Sequence, residues 1–233
     1  MPDSHHDRMH DQTVLAPRAH TAPAAPIRGM EAFQRVLDSG LLRCAVPAAL
    51  GGHGGSITDL AEGARALAAS HPASACVLWA QRLAIEALVQ SGNAGLRDYL
   101  LPDLLVGERA GTLPPSLGGA PLHAVDTGRG WTLHGHLQRV PNLQWVGHSL
   151  AAPVKFGASP AAVAWVWLRG EEDGIDAAPL PEPHAPAGSQ TADLTLRGVY
   201  FREDEWLAGP ELAERIAPVD QALRGALAWA PAR

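Results

Sequence analysis

Charge, cysteine and long apolar runs are all scarce in this chain, and each scarcity removes a class of function. Charged residues make up 18% of 233, and the net charge is −6 without a dense basic stripe. A surface that tracks phosphates is therefore missing, and no nucleic-acid partner is expected. The two cysteines, Cys44 and Cys76, stand far apart with no framework spacing. They suit a reducing, cytoplasmic setting as small buried apolar side chains. No run approaches the apolar length that spans a bilayer. The N-terminus lacks the basic start and continuous apolar core of a signal peptide, so no membrane association is expected.

What is present is a large apolar fraction, 46%, punctuated by 24 glycines and 20 prolines. A core can form, and its connections are many and stiff. Residues 1–27 carry histidines and prolines without periodicity and read as a disordered leader. His5, His6 and His10 have no scaffold there to orient their rings on a metal ion.

Helical periodicity starts near Met30, with Phe33, Val36 and Leu37 on one face and Gly40 as a C-cap. The glycine-rich Gly51-Gly52-His53-Gly54-Gly55 matches neither the P-loop nor the dinucleotide fingerprint, and reads as a tight loop. Ser56 and Asp59 form a capping box for a helix whose face is Ile57, Leu60, Ala61, Ala64, Leu67 and Ala68. Pro72 opens the next helix, about residues 73–90, which is apolar nearly all round and so buried on several sides. A short helix with Leu96, Tyr99, Leu100 and Leu104 closes at Gly107.

After Gly111 the texture changes to short β-type runs. Strands are expected over residues 131–140, 149–156, 161–168 and 192–201, the last with Leu194, Leu196 and Val199 in the core. Trp165 and Trp167 share one strand face as packing residues. Trp131 and Trp145 are also read as packing residues. Residues 171–190, acidic and then proline-rich, read as a surface loop. Helical pattern returns at Pro210. Pro218 interrupts it, leaving a final helix over residues 219–229 with Leu223, Leu227 and Trp229. The fold class is α+β multidomain. A leader (1–27) precedes an all-α N-terminal domain (28–109), then a small all-β sandwich or barrel (110–209) and a C-terminal helical stub (210–233).

Four segments in this order resemble the acyl-CoA dehydrogenase superfamily. Val46-Pro47-Ala48-Ala49-Leu50-Gly51-Gly52-His53-Gly54 matches its "Val-Pro-x-x-x-Gly-Gly-x-Gly" loop. Tyr99-Leu100-Leu101-Pro102-Asp103-Leu104-Leu105-Val106-Gly107-Glu108 matches its "Tyr-Leu-Pro-x-Leu-x-x-Gly-Glu" segment. Gly130-Trp131-Thr132-Leu133-His134-Gly135 matches "Gly-Trp-x-Leu-x-Gly", and Leu207-Ala208-Gly209 matches its closing "Leu-x-Gly". The resemblance implies a flavin-dependent oxidoreductase acting on CH–CH donors. FAD, with FMN as the alternative, would lie between the β domain and a C-terminal helical bundle. A glutamate from the bundle region would serve as base, and the substrate would be a small molecule such as an acyl-CoA thioester. The assembly would be a homo- or hetero-oligomer.

The resemblance also places the flavin contacts. The family's "Leu-Thr-Glu-Pro-x-x-Gly-Ser-Asp" falls on Leu113-Pro114-Pro115-Ser116-Leu117-Gly118-Gly119-Ala120-Pro121. Its "Asn-Gly-x-Lys-x-Trp-Ile-Thr-Asn" falls on His134-Gly135-His136-Leu137-Gln138-Arg139-Val140-Pro141-Asn142. The implied cofactor-binding residues are Leu113, Pro115, Gly119, Ala120, Arg139, Val140 and Pro141. The first motif has lost its hydroxyl and carboxylate, and the second its aromatic and threonine. Arg139 has two readings, a cation beside a flavin or a strand arginine facing solvent. His134 and His136 share a strand face, but no acidic or cysteine partner completes a metal site, and none is expected.

No catalytic residue is assigned. Glu86, Glu108, Glu203 and Glu205 do not match the family's base and are expected at the surface. The chain is thus expected to lack the bundle, its base and part of the flavin surface. A truncated product, a subunit completed by a partner chain, a non-catalytic pseudo-enzyme acting as a binding subunit and a flavin monooxygenase-like relative all remain open.

Overall fold

The computed structural model describes residues 28–144, 147–157 and 163–227. The expectations for the leader, Trp145 and Trp229 lie outside these residues. Among the described residues the chain forms five α-helices and eight strands.

α1 (Arg28–Asp38) turns Phe33 and Val36 inward, and the chain leaves it through Gly40 at φ 70°. α2 (Ile57–Ser70) starts at the expected capping box. The Asp59 N–H donates to the Ser56 hydroxyl (3.1 Å), and the Ser56 N–H donates to the Asp59 carboxylate (2.8 Å). Two donors orphaned by the first turn are satisfied. Leu60 and Ala64 are buried from this helix, but Ile57 is exposed. α3 (Pro72–Val89) carries Pro72 in its first turn and is the central helix, buried without interruption from Ser74 to Leu88. α4 (Ala94–Val106) is capped by the Asn93 side chain, which accepts from the Leu96 N–H at 3.0 Å. It ends at Gly107, whose φ of 77° and close approach to Leu37 leave no room for a Cβ. Tyr99 is 70% exposed. Leu100 and Leu104 supply the packing.

The strands are β1 (Ala110–Thr112), β2 (Leu122–Asp126), β3 (Trp131–Val140), β4 (His148–Phe156), β5 (Val163–Arg169), β6 (Ile175–Pro179), β7 (Ala192–Phe201) and β8 (Trp206–Ala208). They form one sheet in the order β6-β7-β3-β2-β4-β5-β8, with β1 also on β4. β1 and β2 both run parallel to β4 and share its length. Residues 110–112 pair with 148–150, and 122–124 with 154–156. The chain between them, residues 113–121, has to leave the sheet. Pro153 pairs with Trp165 of β5 on one side, and on the other side of β4 it falls in the gap between these two paired stretches. β6 corrects the surface-loop expectation for 171–190. Its residues are mostly exposed and end in a proline, so they carry none of the alternation that marks a strand in sequence.

Two cores meet across β4 and β5. Trp165, Trp167 and Ala151 pack with α3 and its neighbours, as the shared face of the two tryptophans predicts. Val166, Leu168, Ala152 and Val154 face the other way, towards Leu133, Leu194, Leu196 and Val199. Strands covered on both faces read as near-continuous apolar runs.

The last helix, α5 (Leu212–Leu227), runs unbroken through Pro218. The proline expected to end it sits exposed within it. Loss of one hydrogen bond there is outweighed by a stripe at helical spacing, Leu212, Ile216, Val219, Leu223 and Ala226, all buried in the helical core. α5 packs on α2 and α3.

Candidate functional site

Thr112, the last residue of β1, donates its hydroxyl to the Pro141 carbonyl at 2.6 Å. That bond joins the roots of the two loops singled out in the sequence, at one end of the sheet. β1 can reach this place because Gly111 lies against Ala84 and Leu104, where a Cβ would overlap both. Behind it lies a buried polar network. Gln81 of α3 donates to the carbonyls of Leu104 and Arg109, both at 3.0 Å, and accepts from the Gly111 N–H at 2.6 Å. Asn142, held at φ 61°, donates to Gln81 Oε1 and to the Gly111 carbonyl, each at 2.9 Å. Gln144 Nε2 closes the set on Asn142 Oδ1 at 3.0 Å. Gln81 and Asn142 are fully buried, and buried amides are kept only where their donors and acceptors are matched.

The seven implied cofactor residues divide on this frame. Leu113 and Val140 are fully buried, Leu113 in the helical core and Val140 in the β core. Pro141 is buried, with its carbonyl taken by Thr112. Pro115 is half-buried, and its carbonyl accepts from the Arg224 guanidinium of α5. The Gly119 N–H folds back onto the Ser116 carbonyl at 3.1 Å, and Ala120 is exposed. Arg139 stands on an irregularity of β3 at φ 56°. Its N–H donates to Asp193 Oδ1 (2.7 Å) and its guanidinium to the His184 carbonyl (2.8 Å). It is half-buried, so it is not simply a strand arginine facing solvent. The β1 and β3 ends are brought together, while Gly119 and Ala120 lie out along the 113–121 loop.

Several residues around this site escaped the sequence. Asp220 accepts from Trp79 Nε1 (2.8 Å) and from Arg224 Nε (2.8 Å), and the Arg224 guanidinium lies 4.9 Å from the Trp79 ring centroid. The i,i+4 Asp220–Arg224 spacing was the available signal. Gln81, Arg82 and Glu86 were also legible as polar side chains on a helix buried all round, where each needs a partner.

Of the carboxylates expected at the surface, Glu86 and Glu205 are buried, at 6% and 7% exposure. Glu86 packs inside α3's surroundings, where its oxygen lies 3.8 Å from the fully buried Arg82. Burial holds the Glu205 carboxyl above its usual range. Burial also pushes the Cys76 thiol up to about 12, against the opposing pull of Arg139, and raises Cys44, so neither is a reactive thiolate.

A cleft of about 700 Å³ opens beside the β3–β4 connection, under the loop of residues 180–191. His148 lines it, with its imidazole held below the usual value by burial. His134 and His136 are exposed on the outer face of β3, and His136 meets the Thr195 hydroxyl at 3.1 Å. Among the described residues no group of three or more His, Cys, Asp or Glu side chains is placed to hold a metal ion. No helix among them is long and apolar enough to cross a membrane.

Residues 8–108 match the family model described as the acyl-CoA dehydrogenase N-terminal domain. No curated protein matches the sequence. Among solved structures, the ChsE4–ChsE5 complex from Mycobacterium tuberculosis is 22% identical with a TM-score of 0.66, over 85% of this chain and 53% of that one. The acyl-CoA dehydrogenase complexed with FAD from Bacillus anthracis is 18% identical with a TM-score of 0.71, over 85% and 38%. A glutaryl-CoA dehydrogenase from Mycobacterium smegmatis in complex with FADH2 is 14% identical with a TM-score of 0.71, over 86% and 55%. The chain spans about half the length of these structures or less, and identities this low speak for the fold. The helical part thus resembles the acyl-CoA dehydrogenase N-terminal domain, and the fold of the described residues is similar to that of solved acyl-CoA dehydrogenases.

Proposed function

We propose that this chain is part of a flavin-dependent oxidoreductase of the acyl-CoA dehydrogenase type. It would bind FAD, or FMN in its place, where the loops after β1 and β3 meet. A small molecule, with CoA thioesters as the family's substrate class, would be oxidised there. The observation that carries this reading is the Thr112–Pro141 bond, backed by the Gln81–Asn142 network. It fixes two loop roots against each other in advance of any ligand, as a binding site for a rigid ring requires.

The chain's own residues fit a flavin at two places. Arg139 offers a cation at the sheet end, suited to an anionic reduced ring or a phosphate. The 113–121 loop offers backbone at Gly118 and Gly119, with no side chain in the way. A bound flavin supplies the hydride-accepting chemistry that no side chain has. The roles left to the chain are to hold the ring and to keep water from one face. Glu86 and Glu205 are buried and bonded elsewhere, by Gln90 Nε2 (2.8 Å) and by the Arg202 N–H (3.1 Å). We therefore assign the base to a further segment or a partner chain. ChsE4–ChsE5 is a two-component complex, and a hetero-oligomer is the arrangement proposed for this chain as well.

A second reading, a non-catalytic partner subunit, is favoured by one observation. Pro114, Pro115 and Pro141 have no N–H to offer a ring, and the carbonyls of Pro115 and Pro141 are already used. Flavin titration of the purified chain, alone and with any co-purifying protein, separates the two. Quenching of FAD or FMN fluorescence, weakened at least about tenfold in Arg139→Met by loss of that cation, supports the oxidoreductase. A colourless protein that quenches neither flavin supports the subunit.

A further inference from the structure

The cleft beside the β3–β4 connection contains none of the seven implied flavin residues. Its floor is Leu143, Gln144 and His148, and one wall is Ala177 and Pro179 of the edge strand β6. Its roof is the 180–191 loop. That roof is stapled to the floor from several sides. The N–H groups of Asn142 and Leu143 donate to the carbonyls of Ser189 (2.9 Å) and Gln190 (3.0 Å). The Leu180 N–H donates to the Thr191 carbonyl at 2.9 Å, which closes the roof loop at its base, and Arg139 of β3 holds the His184 carbonyl. Pro181, Pro183 and Pro186 restrict the backbone further. The cleft is therefore formed before any ligand arrives. Its volume lies within the roughly 300–1,000 Å³ of ordinary small-molecule sites.

Its charge identifies the class of ligand. Glu171 and Glu182 line it, and among the described residues no lysine or arginine does. Glu171 already holds Arg109 at 2.8 Å, and Arg109 in turn donates to the His148 carbonyl (3.0 Å) and to the Ser149 hydroxyl. Burial holds the His148 ring below its usual value, disfavouring its cation. An anion entering here would lose its water and gain no cation. The side-chain amide of Gln144 and the His148 ring are the polar groups on an otherwise apolar floor, and the Ser189 and Thr191 hydroxyls are occupied with each other at 2.7 Å.

We propose that this cleft binds a neutral, mainly apolar small molecule bearing one hydrogen-bonding group, which docks at Gln144 and His148. The site is independent of the flavin reading. Neither flavin, with its phosphates, nor a CoA thioester suits its lining.

The test uses two fluorescent probes that share an arylaminonaphthalene core. N-phenyl-1-naphthylamine is neutral, and 8-anilinonaphthalene-1-sulfonate carries a fixed negative charge. On the full chain the neutral probe binds at one site, at least about tenfold tighter than the sulfonate. Ala177→Trp fills the cleft from an exposed position on the edge strand and reduces neutral-probe affinity by at least about tenfold, with the circular dichroism spectrum unchanged. Glu182→Lys narrows the gap by admitting the sulfonate. If the sulfonate binds as tightly as the neutral probe, or Ala177→Trp leaves the neutral probe bound as before, the assignment is overturned. It is also overturned if FAD displaces the neutral probe one for one. Neutral-probe binding by a chain that takes up no flavin would sink the flavin reading and leave this one standing.

Discussion

Asn142 donates its side-chain amide to Gln81 Oε1 across 2.9 Å, tying the loop after β3 to the middle of α3. Both residues are fully buried, and the same amide serves the Gly111 carbonyl. Asn142→Ala would leave these acceptors and the Gln144 amide short of partners, at about 1–3 kcal/mol for each group left unmatched. It would also put alanine at φ 61°, which asparagine tolerates better. Urea denaturation should show a loss of roughly 2–4 kcal/mol. Asn142→Gly relieves the backbone but not the bonds, so it should recover only the smaller part. Full recovery by glycine would mean that the network contributes little.

Much of the fold was legible because burial on one face leaves a period. β3 and β7 alternate, α2 and α3 carry their caps and their proline in the expected places, and Trp165 and Trp167 mark a face. The rest was hidden for physical reasons. β6 is an exposed edge strand with no alternation to read. α5 keeps a proline because its apolar stripe outweighs one lost hydrogen bond. At the candidate site, the family resemblance alone singled out the two loops that hold Leu113 and Pro141. What holds the loops, Gln81, Asn142 and Arg224, comes from α3, the β3–β4 connection and α5. No spacing rule joins residues that distant, and only the polar side chains of a fully buried helix signalled that partners had to exist.

Arg82 is fully buried, and its guanidinium makes no hydrogen bond among the described residues. Its carboxylate neighbour Glu86 lies at 3.8 Å, and burial holds the arginine below its usual range, with Glu86 and Cys44 opposing. Removing Glu86 alone, as Glu86→Leu, strands a buried cation and should destabilise by about 3–5 kcal/mol. The double change Arg82→Met with Glu86→Leu replaces an ill-matched pair by apolar contacts. It should be neutral or up to about 4 kcal/mol more stable than the parent. A double-mutant cycle by chemical denaturation measures both. A double variant as weak as Glu86→Leu would show that the pair contributes more than its geometry allows.

His148 gives the stability a pH signature. Its folded value lies below 6.5 because burial disfavours the cation. The Gln144 backbone and Glu171 oppose this, and Arg109 reinforces it. Below 6.5 the unfolded imidazole takes up a proton that the folded one refuses, so stability falls as pH drops from 6.5 towards the folded value. His148→Gln should flatten that part of the profile and leave the region above pH 7 alone. The denaturation midpoint followed across these pH values decides it, and an unchanged slope would assign the pH dependence to other groups.

Arg224 fastens the 113–121 loop to α5 through the Pro115 carbonyl, while Asp220 grips the arginine at 2.8 and 2.9 Å. Arg224→Met keeps the stem but drops the charge-assisted bonds and the contact with the Trp79 face. A loss of about 2–3 kcal/mol is expected, the range for hydrogen bonds to charged groups. Arg224→Lys keeps the charge without the planar fork and should recover only part of it. The loop supplies a sharper reading than global stability. Ser116, Gly118 and Ala120 are already exposed, so a protease cutting in this loop should act faster on Arg224→Met under conditions where both proteins remain folded. Equal cutting rates would mean that the Thr112–Pro141 bond alone positions the loop, and that α5 contributes to the helical core without shaping the site.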